Sequence, residues 1–231
     1  MHKSEVNQII WGTLFSAIFL MVFIFWAETD KQSLHSVSLE DGPIESMSAL
    51  FYFLSSICFL IAAKRSDFLK NKQTGFRYLM ILAWAVLMLI FAGEEVSWGQ
   101  RIFEIETPTA LAELNVQNEI NIHNMELINT LGVGKYRYLS IMMLMTGLLI
   151  PLIMLIAPCR RFMQWIAYPV APLCYWLIFV GSYIYGKVYY NNLVFVDDAS
   201  EIREFILSVG MMLVSLHGAI YPCVFFRSCD T

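Results

Sequence analysis

The stretch Arg77–Arg101, RYLMILAWAVLMLIFAGEEVSWGQR, joins a long apolar run directly to a group of polar and charged residues. The apolar part is close to the ~20 residues that a helix needs to cross a hydrocarbon core. Glu94 lies seventeen residues after Arg77, which is roughly 26 Å along a helix at 1.5 Å per residue. The spacing therefore predicts a membrane-spanning helix with Glu94 and Glu95 near its far end.

The composition of the whole chain supports a multi-pass membrane protein. Of the 231 residues, 58% are hydrophobic and only 15% are charged, against about 25% charged in an ordinary soluble domain. The formal net charge of −4 gives no reason to expect nucleic-acid binding. The five cysteines form no C-x-x-C pair, so neither a redox dithiol nor a zinc knuckle is indicated.

Six apolar segments predict an all-α, polytopic membrane bundle that forms a single domain over residues 1–231. The segments are Ile9–Ala27, Ile44–Ala63, Phe76–Ala92, Tyr138–Ala157, Trp165–Tyr185 and Phe205–Phe226. The first is too long for a signal peptide and no A-x-A site follows it, so we expect a retained span. Pro151, Pro169 and Pro172 are expected to kink the fourth and fifth segments. The connection at about 102–137 is long for a bundle and is predicted to form a structured outer loop.

The basic residues orient this bundle. Nine of the fifteen fall at the N-terminus, in the 2–3 and 4–5 loops and at the C-terminus: Lys3, Lys64, Arg65, Lys70, Lys72, Arg77, Arg160, Arg161 and Arg227. The positive-inside rule places this side in the cytoplasm. We therefore expect a plasma-membrane protein with both termini cytoplasmic and with GEEVSWGQR on the outer face.

The third helix is predicted to present a polar face at that outer surface. If it continues, Glu94, Ser97 and Arg101 share one face, because they are spaced i, i+3 and i+7. Glu95 points about 100° away. Two neighbouring carboxylates at this depth are unfavourable unless they are paired, protonated or bound to a cation.

Two other segments bring polar residues to the same level. Glu45 and Tyr52 lie on one stripe of the second segment, and Glu201 and Glu204 precede the apolar part of the sixth. Polar residues within spans normally face the bundle interior or a water-filled cavity. We therefore expect one outward-opening pocket, floored by the second, third and sixth segments and roofed by the outer loop.

The outer loop contains two informative segments. ETPTALAEL, residues 106–114, predicts a short helix with Thr107 as N-cap and Pro108 at the first position. NVQNEINIHN, residues 115–124, fits a strand or a helix equally well. Glu119 and His123 project together in both cases, with Asn121 joining them if the segment is extended and Glu126 if it is helical.

The site residues predicted from these patterns fall into three sets. Glu94, Glu95, Ser97 and Arg101 are assigned to catalysis, Glu45, Tyr52, Gln100, Asn118 and Asn124 to substrate binding, and His123, Glu119 and Glu94 to a metal ion. Carboxylates with one imidazole suit a divalent Zn, Mn or Fe ion, whose bound water can act as a nucleophile while an arginine stabilises an anion. The leading hypothesis is a metal-assisted hydrolase or transferase that acts on a lipid, lipid-linked or cell-envelope substrate in the bilayer.

Other interpretations remain open. Ser97 with His123 and a glutamate suits nucleophilic catalysis, although no nucleophile elbow surrounds Ser97. The same residues also suit a structural network in a non-catalytic membrane subunit, or a carboxylate relay in a proton- or cation-coupled transporter. Polar residues confined to one side, without an inverted repeat, favour an enzyme or a binding module over a transporter.

GEEVSWGQRIFEIETP followed by NVQNEINIHN resembles the motif of an uncharacterised family of bacterial multi-pass membrane proteins. The resemblance rests on Gly93–Arg101, Thr107–Pro108 and Asn115–Asn124, which are a small part of the chain. It implies a bacterial inner-membrane protein and brings no established activity with it.

Overall fold

The computed structural model describes residues 3–39, 42–65, 75–100, 103–115, 119–121, 141–142, 144–166, 168–189 and 196–221. Within these ranges the regular secondary structure is helical. The α-helices are α1 (Lys3–Thr29), α2 (Lys31–Ser38), α3 (Pro43–Arg65), α4 (Gly75–Glu95), α5 (Thr109–Ala112), α6 (Ile150–Ile153), α7 (Ala157–Trp165), α8 (Trp176–Tyr189) and α9 (Val196–Ile220). A π-helical turn, Met145–Leu149, precedes α6, and 3-10 turns occupy Ser97–Gly99 and Leu173–Tyr175.

Four of these helices are long and apolar enough to cross a membrane. The candidate spans are Ile10–Thr29, Pro43–Arg65, Tyr78–Glu95 and Ala199–Ile220. They match the first, second, third and sixth predicted segments to within a few residues, except that the last begins six residues earlier than predicted. The all-helical class of the prediction is confirmed, and four helices of the described residues are long and apolar enough for a membrane protein.

Within the described residues, neither the fourth nor the fifth predicted segment forms one continuous helix. α6 ends at Ile153 and a short turn separates it from α7. In the fifth segment, residues 168–172 have no regular secondary structure, and the α-helix begins only at Trp176. Pro169 and Pro172 explain the difference, because proline lacks an amide donor and disfavours helical backbone in the residue before it.

Helices α3 and α9 run side by side in the same direction. The Ser55 hydroxyl donates to the carbonyl oxygen of Met211 at 3.2 Å and lies 3.0 Å from Oγ of Ser215. Ten residues further along α3, Nη1 of Arg65 donates to the carbonyl oxygen of Ala219 at 2.8 Å. α4 packs against α3 and runs the opposite way, as its Phe91 ring lies 5.4 Å from that of Tyr52.

This arrangement gives the bundle two distinct ends. The start of α3, the end of α4 and the start of α9 meet at one end, called the polar end here. The opposite end, where α3 finishes in Lys64 and Arg65, is called the basic end. The polar groups predicted from the second, third and sixth segments therefore do lie at one end of the bundle.

Helices α1 and α8 complete the polar end. The Tyr189 hydroxyl, at the end of α8, donates to Oε1 of Glu28 at 2.7 Å, near the end of α1. Between these helices Gly181 leaves room for Leu20, since a Cβ at Gly181 would lie 2.1 Å from a Leu20 methyl carbon. Phe23 packs against Phe205 of α9, with ring centroids 5.6 Å apart.

The π-helical turn packs closely against α8 at Gly147. A Cβ at this position would lie 2.2 Å from Cβ of Phe179. Because a Cβ atom is bonded directly to the backbone, side-chain rotation cannot relieve this contact. We expect Gly147→Ala to lower the free energy of unfolding by about 1–3 kcal/mol through overpacking, measured by thermal or denaturant unfolding in detergent micelles. Met145→Ala, at an exposed position of the same turn, is the control; equal stability of the two variants would contradict this packing.

Candidate functional site

The helix that carries the two glutamates stops at Glu95 and turns sharply. Ser97, Trp98 and Gly99 have φ values of 45°, 56° and 78°, which are left-handed. The helix therefore does not continue through Ser97, which was the condition for Glu94, Ser97 and Arg101 to share one face, and Arg101 itself lies outside the described residues. For Ser97 and Trp98 the left-handed backbone costs roughly 1–2 kcal/mol per residue, so neighbouring contacts have to stabilise it.

Contacts of Trp98 with the last turn of α4 supply part of that stabilisation. Nε1 of Trp98 donates to Oε1 of Glu94 at 2.7 Å. The indole ring lies over Gly93, where a Cβ would come within 2.9 Å of its Cε3 atom. Glu94, predicted as a catalytic group and metal ligand, thus accepts a hydrogen bond from the turn that follows its own helix.

A buried hydrogen-bond network, the loop cluster, holds the other side of the turn. Its members Ser97, Asn115, Glu119 and Asn121 are all nearly inaccessible to solvent. The Ser97 hydroxyl donates to Oε2 of Glu119 at 2.7 Å, and Nδ2 of Asn121 donates to the same oxygen and to the Ser97 hydroxyl. Nδ2 of Asn115 donates to Oδ1 and to the backbone oxygen of Asn121, both at 2.9 Å.

These contacts settle part of the ambiguity in residues 115–124. Asn121 joins Glu119, as expected for a non-helical segment, and residues 119–121 are not helical. Both donors reach one oxygen of Glu119, an arrangement that suits a carboxylate acting only as an acceptor. The loop cluster therefore places a carboxylate beside the Ser97 hydroxyl.

Gln100 joins the turn to two parts of the loop. Its Nε2 donates to Oγ1 of Thr107, and its Oε1 accepts from the backbone amide of Ile120 at 2.6 Å. The predicted short helix exists as α5, but Pro108 occupies the N-cap position. The assignment of Thr107 as N-cap is wrong, and its hydroxyl binds Gln100 instead. Gln100 was predicted to bind substrate, but the nitrogen and the oxygen of its side-chain amide both form hydrogen bonds within the protein.

A second group of polar side chains, the charge cluster, lies inside the bundle at the polar end. Its members are Tyr52 of α3, Glu95 of α4, and Arg203 and Glu204 of α9. Tyr52, Arg203 and Glu204 are 2%, 5% and 8% exposed. Glu95, Glu204 and Arg203 each lie close enough to Tyr52 to act on it electrostatically. Three helices thus bring ionisable groups together, with Glu95 half-buried and the other three buried.

Neighbouring helices shape the position of Arg203. Its aliphatic stem crosses α8 at Gly186, where a Cβ would lie 2.7 Å from Cδ of Arg203. The Ser182 hydroxyl of α8 donates to the Arg203 carbonyl oxygen at 2.9 Å, and the Ser200 hydroxyl donates to Oε1 of Glu204 at 3.0 Å. Glycine at position 186 is what lets the arginine lie between the two helices.

Sequence reasoning missed Arg203. The sixth segment was predicted to begin at Phe205, which left Arg203 outside the span, whereas α9 extends back to Val196 and its candidate span to Ala199. The sequence signal that could have revealed Arg203 is its opposite charge to the adjacent Glu204 at the start of an apolar run. Asn115 was also unassigned, although it anchors Asn121.

The remaining predicted residues are only partly placed. Asn118, His123 and Asn124, like Arg101, lie outside the described residues. Glu45 lies in the first turn of α3 at the polar end. Across the described ranges, no group of three or more His, Cys, Asp and Glu residues is arranged to hold a metal ion. The predicted metal site combines Glu94 and Glu119 with the imidazole of His123. Because His123 lies outside the described residues, the described residues do not complete this site.

No family model, curated protein or solved structure matches the chain. Functional inference therefore rests on the two clusters and on the bundle that positions them.

The loop cluster predicts a stability effect of the Ser97 hydroxyl. We expect Ser97→Ala to lower the free energy of unfolding by about 1–3 kcal/mol, because Glu119 loses a donor while it stays buried. Ser46→Ala, at an exposed position of α3, is the matched control. Denaturant unfolding in micelles gives the comparison, and a Ser97→Ala variant as stable as Ser46→Ala would remove the evidence for this hydrogen bond.

Proposed function

We propose that the protein is a hydrolase or transferase of the membrane that acts on a lipid or lipid-linked substrate of the cell envelope, with the charge cluster as its reactive site. The observation that carries the proposal is the convergence of Glu95, Arg203 and Glu204 on buried Tyr52. Ionised groups inside a membrane bundle cost several kcal/mol each to desolvate. Such residues are rare in spans and generally mark functional sites.

The distribution of buried charge supports an enzyme or binding site rather than a transport path. Among the described residues, the buried charged side chains are Glu119, Arg203 and Glu204, and all three lie at the polar end. A transporter is expected to present binding groups near the bilayer midplane, between repeats. Charge at one end suits a substrate whose head group lies at the membrane surface and whose chains remain in lipid.

The residue types give each member of the charge cluster a role. Arg203 is suited to stabilise negative charge that develops on a phosphoryl or carbonyl oxygen. Glu95 and Glu204 are suited to proton transfer, for which two carboxylates in different surroundings can serve as acid and base. Tyr52 supplies a hydroxyl donor. The strained turn at Ser97 and Trp98 adds support, because left-handed non-glycine residues cluster at functional sites.

Lipid analysis of whole membranes tests this proposal while leaving the identity of the substrate open. Wild-type protein and the Arg203→Gln and Glu95→Gln variants are produced at equal levels in a bacterial host, and lipid extracts are compared by mass spectrometry. We expect wild-type protein to change the amount of at least one lipid or lipid-linked species severalfold, and both variants to abolish that change. Lys187→Gln, an exposed charge on α8, is the control. Identical lipid profiles with and without wild-type protein would refute an enzyme of this class.

Gly186 offers a variant that moves Arg203 without removing its charge. We expect Gly186→Ala to reduce the lipid change at least tenfold, because the new methyl group displaces the arginine stem from α8. Gly181→Ala, whose new methyl group meets the flexible end of Leu20, controls for packing damage in the same helix. Equal activity of the two variants would show that the position of Arg203 does not matter to the reaction.

A more specific form of the enzyme hypothesis adds a divalent metal ion bound by His123, Glu119 and Glu94. Metal analysis of protein purified without chelators tests it, with His123→Ala and Glu119→Gln as variants. One equivalent of zinc, manganese or iron that both variants lose would support metal-assisted hydrolysis. Folded wild-type protein that contains no metal would leave acid–base chemistry by the charge cluster as the mechanism.

The second candidate is a non-catalytic membrane subunit, and the loop cluster favours it. Ser97, Asn115, Glu119 and Asn121 bind one another within a buried network, as expected of residues that fix a loop onto a bundle. In that case substitutions in both clusters would lower stability, and the lipid profile would not respond to the protein.

A further inference from the structure

Helix α7 separates its polar and apolar side chains onto opposite faces. At 100° per residue, Arg160, Arg161 and Gln164 fall within one arc that also includes Ala157. Pro158, Cys159, Phe162, Met163 and Trp165 fill the opposite arc. A nine-residue helix with arginine on one face and Phe and Trp on the other has the pattern of a helix that lies in a membrane interface.

The apolar face of α7 is not covered by the rest of the bundle. Phe162 and Trp165 are 54% and 60% exposed, and their rings lie 6.1 Å apart. None of the helix's residues is buried. The exposed apolar surface continues into Leu155 and Ile156, directly before the helix. In a chain with membrane spans, such a surface fits the boundary between head groups and acyl chains.

The turn that follows α7 in the chain lies at the basic end. The chain runs from Trp165 to the turn Leu173–Tyr175, where a Cβ at Gly12 near the start of α1 would touch Cys174. The Tyr175 ring lies 6.1 Å from that of His217, near the end of α9. α3 finishes at this end in Lys64 and Arg65, so the two arginines of α7 join other cations there.

The positive charge of α7 indicates which class of lipid it binds. The sequence contains no Asp or Glu between Leu127 and Val196, so Arg160 and Arg161 have no acidic neighbour within their own part of the chain. Arginine binds phosphate oxygens through its planar set of N–H donors. A basic cluster beside a membrane span is attracted to anionic lipid by about 1 kcal/mol per residue, which corresponds to roughly fivefold per arginine.

We propose that α7 lies in the membrane interface at the basic end, with Phe162 and Trp165 at the acyl-chain boundary and with Arg160 and Arg161 bound to the head groups of anionic phospholipids. This lipid site is distinct from the charge cluster, which lies at the opposite end of the bundle. It holds whether or not the protein is an enzyme.

Quenching of Trp165 fluorescence by brominated lipid tests both halves of the proposal. The full-length protein is reconstituted in phosphatidylcholine vesicles that contain brominated phosphatidylcholine or brominated phosphatidylglycerol at the same fraction. The Trp165 signal is the difference between wild-type protein and Trp165→Phe. We expect quenching by both lipids, and stronger quenching by brominated phosphatidylglycerol, which reports its enrichment around α7.

The paired variant Arg160→Gln/Arg161→Gln is expected to lower the enrichment of phosphatidylglycerol by about fivefold for each arginine, while quenching by brominated phosphatidylcholine persists. Lys187→Gln, on α8 near the polar end, leaves both signals unchanged. Thermal unfolding verifies that each variant is folded. Absence of quenching by either lipid would overturn the interfacial position, and would point to a second copy of the chain covering this face. Equal quenching by the two lipids in wild-type protein would overturn the anionic-lipid site.

Discussion

The left-handed turn at Ser97–Gly99 controls the geometry of the polar end. A helix that continued past Glu95 would carry the following residues away from the bundle, whereas the left-handed backbone of the turn ends the helical path within a few residues. Because this backbone is unfavourable for Ser97 and Trp98, it depends on the hydrogen bonds that both side chains make. The strain and the loop cluster therefore belong to one arrangement, because the hydrogen bond from Ser97 to Glu119 helps to keep the backbone in this conformation.

The charge cluster illustrates a different balance of energies. Replacing buried ionic groups with apolar side chains of similar size often leaves a protein equally or more stable. The position of Glu95, Arg203 and Glu204 beside Tyr52 is thus hard to explain by stability alone. Gly186 leaves the space on α8 that the arginine side chain fills, and Ser182 binds the backbone of the same residue, so α8 fits closely around it. This close fit is the structural reason for assigning function to the bundle interior rather than to the loop.

The sequence predicted the helical class, four of the six expected spans and the end of the bundle at which the polar groups meet, because hydrophobic length and helix alternation determine those features. It left residues 115–124 open between a strand and a helix, and the hydrogen bond of Asn121 with Glu119 fits the extended alternative. It failed where a local conformation overrides periodicity, as at Ser97 and Trp98, whose left-handed backbone no spacing rule indicates. Arg203 was missed because a hydropathy pattern places a charged residue outside a membrane span. In the structure its aliphatic stem packs against Gly186 inside the bundle.

The pairing of α3 with α9 has a consequence for biogenesis. The hydrogen bond from Ser55 to Ser215 joins residues 160 positions apart, so the helix that completes the core is the last described one to leave the ribosome. Until α9 inserts, Tyr52 and Glu95 face lipid or a chaperoning insertase without the arginine that neighbours them in the finished fold. A chain interrupted before α9 thus lacks both the hydrogen-bond partners of Ser55 and the arginine beside Tyr52.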